Sequence, residues 1–254
     1  MGSLPRLAFL GHSTVLIELE GLRILTDPVL LDRVIVLRRI VTPVEPALYS
    51  GIDAVVLSHL HLDHFDLASL RVLGPDVQVV VPRGAAGLLR RSGFERVTEL
   101  APGEATSIGG LSVTATRAAH GGFRPPFSPR AAAVGFLLEG RESRIYFAGD
   151  TDLFPEMAEL GADLDVALLP VWGWGPTLGP GHLDPARAAT ALRLLRPSFA
   201  MPIHWGTFWP YGLGRVRPGL LTEPPREFAA LAAEAHPQGT VLLAAPGEHV
   251  SFTP

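Results

Sequence analysis

The chain has no cysteine, no lysine and no asparagine among its 254 residues. Without cysteine there is no disulfide framework and no thiolate zinc site, so any metal ligands must offer nitrogen or oxygen. All 21 basic residues are arginine, a bias that fits a G+C-rich coding sequence better than a function. A basic excess is also missing: the net charge is −4, which argues against general nucleic-acid binding. No apolar run is long enough to span a bilayer, and the first residues, MGSLPR, lack the charged and apolar blocks of a signal peptide. A cytoplasmic location is the expectation. The 47% hydrophobic content suffices for a sizeable core, read as one domain over 1–254.

What is present is histidine, concentrated. Ser58-His59-Leu60-His61-Leu62-Asp63-His64 places three imidazoles and a carboxylate directly after the apolar stretch 52–57. In an extended segment side chains alternate, so His59 and His61 face one way, and a turn toward a helix swings Asp63 and His64 to a neighbouring position. That geometry suggests two ions. Of the remaining histidines, His120 follows the strand-like 111–116 and His204 follows 199–203, while Asp150 closes 144–149. Strand ends are where open sheets present functional groups. His59, His61 and His120 could hold one ion and Asp63, His64 and His204 a second, with Asp150 bridging both. Asp27, in Leu-Thr-Asp-Pro, fits a hydrogen-bond acceptor that orients the ligand loop, with a simple turn carboxylate as the rival. His12 is open between orienting and packing roles, and His236 and His249 read as surface or packing residues.

Such a donor set has an expected chemistry. Two divalent ions about 3.5 to 4 Å apart share a hydroxide whose pKa is lowered toward neutrality, and they polarise the attacked oxygen. Hydrolysis follows without any Ser or Cys nucleophile. Zinc is the default metal, and an oxygen-rich second site also accepts manganese or iron.

Strands alternate with helices. The pattern predicts strands over 7–10, 15–19, 23–25, 55–57, 77–81, 111–116, 132–139, 144–147, 166–169, 241–244 and 249–252, and helices over 66–73, 84–92, 185–195 and 225–235. In the third helix Asp184 is the N-cap, Pro185 takes the first position, Ala188, Ala191, Leu192 and Leu195 form the apolar stripe, and Pro197 ends it. Periodicity alone supports a layered α/β domain.

In order and spacing, the HxHxDH run followed by His120, Asp150 and His204 resembles the metallo-β-lactamase superfamily over nearly the whole chain. Gly11-His12-Ser13-Thr14, Leu25-Thr26-Asp27-Pro28, Gly181-His182-Leu183-Asp184-Pro185 and Ile203-His204-Trp205-Gly206-Thr207-Phe208 are similar to the branch containing N-acylphosphatidylethanolamine phospholipase D and L-ascorbate-6-phosphate lactonase. Glyoxalase II and flavodiiron proteins fit less well; the latter replace the second histidine with Glu, and this chain keeps His61. The resemblance implies a four-layer αββα sandwich with metals at one edge, and a catalytic role for His182 facing the substrate phosphate, beside Asp63 as ligand and catalytic carboxylate.

Residues 29–41 (VLLDRVIVLRRIV) would, as a helix, align Leu30, Val34, Leu37 and Val41 on one face. Such an element either packs on the core or forms an apolar lip over the metals. Trp172, Trp174, Trp205, Phe208, Trp209 and Tyr211 add apolar surface near the site. The partner is then a small-molecule substrate with an apolar portion; a lipid or membrane-surface contact is left open, and the oligomeric state is not readable. Three functions compete: a two-metal phosphodiesterase, a lactonase or other ester hydrolase on the same site, and a catalytically silent metal-binding protein. Retention of every expected ligand disfavours the third.

Overall fold

The computed structural model describes residues 5–122, 129–173, 179–212, 218–250 and 252. Its elements run β1 (Arg6–Gly11), β2 (Thr14–Leu19), β3 (Leu22–Thr26), β4 (Arg33–Val34), β5 (Leu37–Arg39), α1 (Pro46–Tyr49), β6 (Ala54–Val56), α2 (Leu67–Leu73), β7 (Gln78–Pro82), α3 (Ala86–Arg90), β8 (Val97–Leu100) and β9 (Ala105–Ile108). They continue with β10 (Leu111–Arg117), β11 (Val134–Glu139), β12 (Arg144–Phe147), α4 (Met157–Leu160), β13 (Val166–Pro170), α5 (Pro185–Leu195), β14 (Phe199–Ile203), β15 (Phe208–Pro210), a 3₁₀ turn (Pro218–Leu221), α6 (Glu223–Ala235), β16 (Thr240–Val241) and β17 (Glu248–Val250).

Two seven-stranded sheets result, ordered β17-β1-β2-β3-β6-β7-β8 and β16-β14-β13-β12-β11-β10-β9. Each is antiparallel on one side and parallel on the other: β17 to β3 and β9 to β12 pair antiparallel, while β3-β6-β7-β8 and β12-β13-β14-β16 are parallel. Period-2 alternation divides the first sheet cleanly. Leu7, Phe9, Val15, Ile17, Ile24 and Val56 pack with the residues of the second sheet. Ala8, Leu10, Leu16, Leu25, Val55, Val79 and Val81 face the other way, against Leu70 of α2 and Leu89 of α3. On the far side of the second sheet, Ala188, Ala191, Leu192 and Leu195 of α5 and Phe228 and Ala232 of α6 join the larger core. The layers are therefore the αββα sandwich. As the capping logic requires, the Asp184 carboxylate accepts from the Arg187 N–H at 2.8 Å, and Arg196 closes α5 in a left-handed conformation. Among the described residues no helix is long and apolar enough to cross a membrane.

Residues 29–41 depart from the helical reading. They form the β4–β5 hairpin, and β5 pairs antiparallel with β15 to make a third, three-stranded sheet. Consecutive β-branched residues at 34–36 resist a helix, and Ile35 turns the chain at φ 50°. Val34 and Leu37 are buried with Val29 and Phe208, whereas Ile35 and Val36 are 66% and 59% exposed. The apolar positions that mimic a helical stripe are inward residues on either side of a tight turn. The expected strand 241–244 is shortened to β16, and β8 and β9 were not anticipated.

The chain leaves the parallel strands β3, β6, β12, β13 and β14 at one edge of the sandwich, followed by Asp27, the 58–64 run, Asp150, Trp172 and His204. Here the two sheets nearly touch. The Val134 N–H donates to the Ser58 carbonyl at 2.9 Å. Gly149 sits at φ 58°, where a Cβ would lie 2.5 Å from the Ser58 Cβ, so only glycine permits this approach. Gly149→Ala combines a left-handed conformation with a clash. It should destabilise by roughly 2 kcal/mol or more, a drop of about 4 to 8 °C in Tm for a chain of this size, read by thermal unfolding of the metal-free protein.

Candidate metal centre

Each candidate donor stands on a strand end or the turn beyond it, and in His59, His64, His120 and His204 the second ring nitrogen is tied down. The His204 Nδ1 donates to the Trp172 carbonyl at 2.5 Å and the His120 Nδ1 to the Gly181 carbonyl at 2.8 Å. A carbonyl only accepts, so in both rings the proton is on Nδ1 and the Nε2 lone pair is bare. The Asp27 carboxylate collects the Ser58 N–H at 2.7 Å, the Ser58 hydroxyl at 2.5 Å and the His64 Nδ1 at 2.7 Å. Because the Ser58 hydroxyl proton is committed to Asp27, its oxygen can only accept from the His59 Nδ1, 2.9 Å away. His59 thus also presents a bare Nε2, buried with no partner, and His64 turns its Nε2 inward toward Asp150.

These lone pairs converge. The His64 and His204 Nε2 atoms are 3.0 Å apart, and the His120 Nε2 is 3.1 Å from the His61 Nδ1. Asp150 lies between the groups, with Oδ2 3.2 Å from the His64 Nε2 and 3.9 Å from the His59 Nε2, and Oδ1 3.4 Å from the His204 Nε2. The donor atoms of His59, His61 and His120 lie within 4.8 Å of one another, as do those of His12, Asp63, His64 and His204. Nitrogens and carboxylate oxygens packed this closely and this deeply need positive charge among them, which a divalent cation would supply. The residues fit a divalent-ion centre with nitrogen and oxygen donors.

The seven expected ligands are thereby brought together, with Asp150 between the two groups. Asp27 is where the sequence suggested, buried and bonded to His64. His182 stands at the mouth, its side chain 25% exposed, with Nδ1 3.1 Å from the Gly179 carbonyl and Nε2 3.6 Å from the Asp150 Oδ2. His236 bonds the Pro197 carbonyl and His249 is exposed on β17, both away from the centre. Trp174 falls outside the described residues. Ser58 and the carbonyls of Trp172 and Gly181 were missed, since a carbonyl leaves no signal in residue type. His12, left open by sequence, is buried with Nε2 3.1 Å from the Asp63 Oδ2.

Electrostatics in the metal-free chain follow from burial. Burial disfavours charge on His64, yet Asp150 and Asp63 together outweigh it and hold the imidazole well above its ordinary value. Asp150 and Asp63, which burial alone would push up, are held well below the carboxylate range by His204 and His64 in the first case and by His64 and His12 in the second. Burial, with His64 adding, pushes His59 well below the usual histidine range. It pushes His204 to about 3 despite Asp150. One proton on His64 therefore stands in for a cation.

Comparison with known proteins agrees with this geometry. Residues 22–205 match the family described as the beta-lactamase superfamily domain, and the chain belongs to the metallo-β-lactamase superfamily as a metal-dependent hydrolase. A UPF0173 metal-dependent hydrolase of Thermofilum pendens is 31% identical over 258 residues, covering 98% of this chain and all of that protein. The N-acyl-phosphatidylethanolamine-hydrolyzing phospholipase D 1 of Caenorhabditis elegans is 30% identical over 225 residues, covering 79% of this chain and 63% of that one. Igni18, a metallo hydrolase from the archaeon Ignicoccus hospitalis, superposes with a TM-score of 0.75 at 26% identity over 98% of both chains.

Because His64 is held protonated without metal, ion uptake near neutral pH must expel that proton. Titrating zinc into the metal-free protein in two buffers of different ionisation enthalpy should give an apparent heat that differs by about one proton's worth per chain. Equal heats in both buffers would mean that His64 is already neutral.

Proposed function

We propose that residues 1–254 form a single hydrolase domain that holds two divalent ions, zinc by default, and cleaves a phosphodiester whose substrate carries an apolar portion. The observation that carries this reading is the convergence of the His59, His64, His120 and His204 Nε2 atoms and the Asp63 carboxylate on the surroundings of Asp150. In this reading His59, His61 and His120 hold one ion, Asp63, His64 and His204 the other, and Asp150 belongs to both. When bound, such ions supply water acidified to near-neutral pH and positive charge for the oxygen under attack.

The chain's own residues do the rest. Asp27 and Ser58 fix the tautomers of His59 and His64, so that both aim Nε2 inward. His182 donates its Nδ1–H to the Gly179 carbonyl and leaves Nε2 facing the substrate. At the mouth, 3.6 Å from Asp150, the ring in its doubly protonated form is placed to pass the Nε2 proton to the leaving oxygen and return to the neutral imidazole. The exposed hairpin tip, Ile35 and Val36, together with Tyr211 at 66% exposure and Leu62 between two candidate ligands, gives an apolar border. Exposed Arg33 and Arg38 on the same hairpin favour an anionic head group. The phospholipase D relative, whose name describes cleavage of an acylated phospholipid, is consistent with both features.

Elemental analysis after reconstitution should give about two ions per chain, followed by turnover on model phosphodiesters ahead of lactones, thioesters and β-lactams. A single ion would refute the two-ion reading, and lactone turnover without phosphodiester turnover would refute the substrate. His182→Ala should keep both ions and lower kcat and kcat/KM together, by about 10² to 10⁴ if the residue is a general acid. Loss of an ion would make it a ligand instead, and unchanged kinetics would leave it a loop histidine.

A further inference from the structure

His12 is the one buried imidazole at this edge that the two triads leave unassigned. It lies in the turn between β1 and β2, not in the HxHxDH run, and is 1% exposed. Its Nε2 is 3.1 Å from the Asp63 Oδ2, closer than the His204 Nε2 at 3.7 Å or the His64 Nε2 at 3.9 Å. The ring packs 3.9 Å from that of His204 and meets Phe208 edge-on at 5.5 Å.

The backbone that delivers this ring is strained. His12 is at φ 55° and Gly11 at φ 112°, just past an irregularity in the β1–β2 register. A Cβ on Gly11 would strike Thr207 at 2.7 Å. The His12 N–H donates to the Thr207 hydroxyl oxygen at 2.7 Å, and the His204 N–H, itself on a residue at φ 64°, donates to the His12 carbonyl at 2.7 Å. A left-handed non-glycine conformation persists only where its surroundings hold it, and such strain clusters at functional sites. Here two such residues from different sheets hold each other, and one of them reaches Asp63.

We propose that His12 is a positioning residue of the metal centre. Its Nε2–H donates to the Asp63 Oδ2 and holds that carboxylate beside His64 and His204, so that the ion at this corner depends on His12 while the ion at His59, His61 and His120 does not. The inference rests on the two-ion reading. An N···O separation of hydrogen-bond length calls for a shared proton, and an imidazole that spends its Nε2 proton on a ligand carboxylate is an orienting partner rather than a ligand.

The test is competitive titration of zinc into the full-length metal-free chain against a chromophoric chelator, resolving two stepwise affinities, for the wild type, His12→Phe and His12→Gln. His12→Phe keeps the ring packing and removes the donor, and its second affinity should fall about 10- to 100-fold with the first unchanged. His12→Gln restores an N–H donor and should recover most of the loss. If His12→Phe does not fold, His12→Leu replaces it in the same comparison. Two unchanged affinities in a folded donor-free variant overturn the proposal, as does equal weakening of both ions. A His12→Gln variant as weak as His12→Phe also overturns it, because that pattern belongs to a direct ligand. Wild-type protein that takes up one ion defeats the two-ion reading itself, a failure visible before any variant is measured.

Discussion

The need for positive charge among buried donor atoms is the constraint around which this molecule is arranged. Four histidines are held by their outer hydrogen bonds with Nε2 turned toward one another, and two carboxylates join them. Left alone, this assembly is unfavourable by several kcal/mol, since buried charges and unpaired acceptors each carry a desolvation penalty. The outer shell prevents the simplest escape. Rings whose Nδ1 protons are held by the Trp172 and Gly181 carbonyls or by Asp27 cannot relieve the strain by turning Nε2 away. A metal ion can, and the same rigidity that makes the metal-free edge strained makes the site preorganised.

The fold generates this edge by using one plan twice. In each half an antiparallel meander feeds three parallel pairings, and the loops at the carboxyl ends of the parallel strands carry the donors. Neither half is sufficient. Asp27 and the 58–64 run come from the first sheet, and His120, Asp150 and His204 from the second, so the site exists only where the layers meet. That meeting is tight enough to demand glycine at 149 and left-handed conformations at His12, Asp27 and His204. The buried apolar faces of both sheets supply the driving force that holds those strained residues in place.

Much of this was legible in the chain because the signals were local. Strand alternation, the Asp184-Pro185 start of α5 and the HxHxDH spacing each depend on residues a few positions apart. The candidate donors could be picked out because few histidines occur and most follow apolar strands. What escaped was of two kinds. Backbone carbonyls, such as those of Trp172 and Gly181, act through position alone, and His12 acquires its partner only when residues 51 positions apart are brought together. At 29–41 the sequence leaves a helix open, because inward residues at 34 and 37 are spaced like a helical stripe, and only the turn at Ile35 and pairing with β15 distinguish the two.

That hairpin is also fastened to the edge that carries the candidate donors. Arg39 of β5 is buried, and burial lowers its guanidinium to about 10 against the opposing field of Asp32, which still leaves it charged at neutral pH. It donates to the Leu10 carbonyl at 3.1 Å and the Val29 carbonyl at 2.6 Å, and lies over the Phe208 ring at 5.1 Å. Leu10 precedes the Gly11-His12 turn, and Phe208 touches the His12 ring. A buried cation held by two main-chain oxygens resists displacement more than an apolar contact does, because moving it away uncovers the charge. The apolar tip at Ile35 and Val36 is thus fastened to the same turn that places His12 against Asp63.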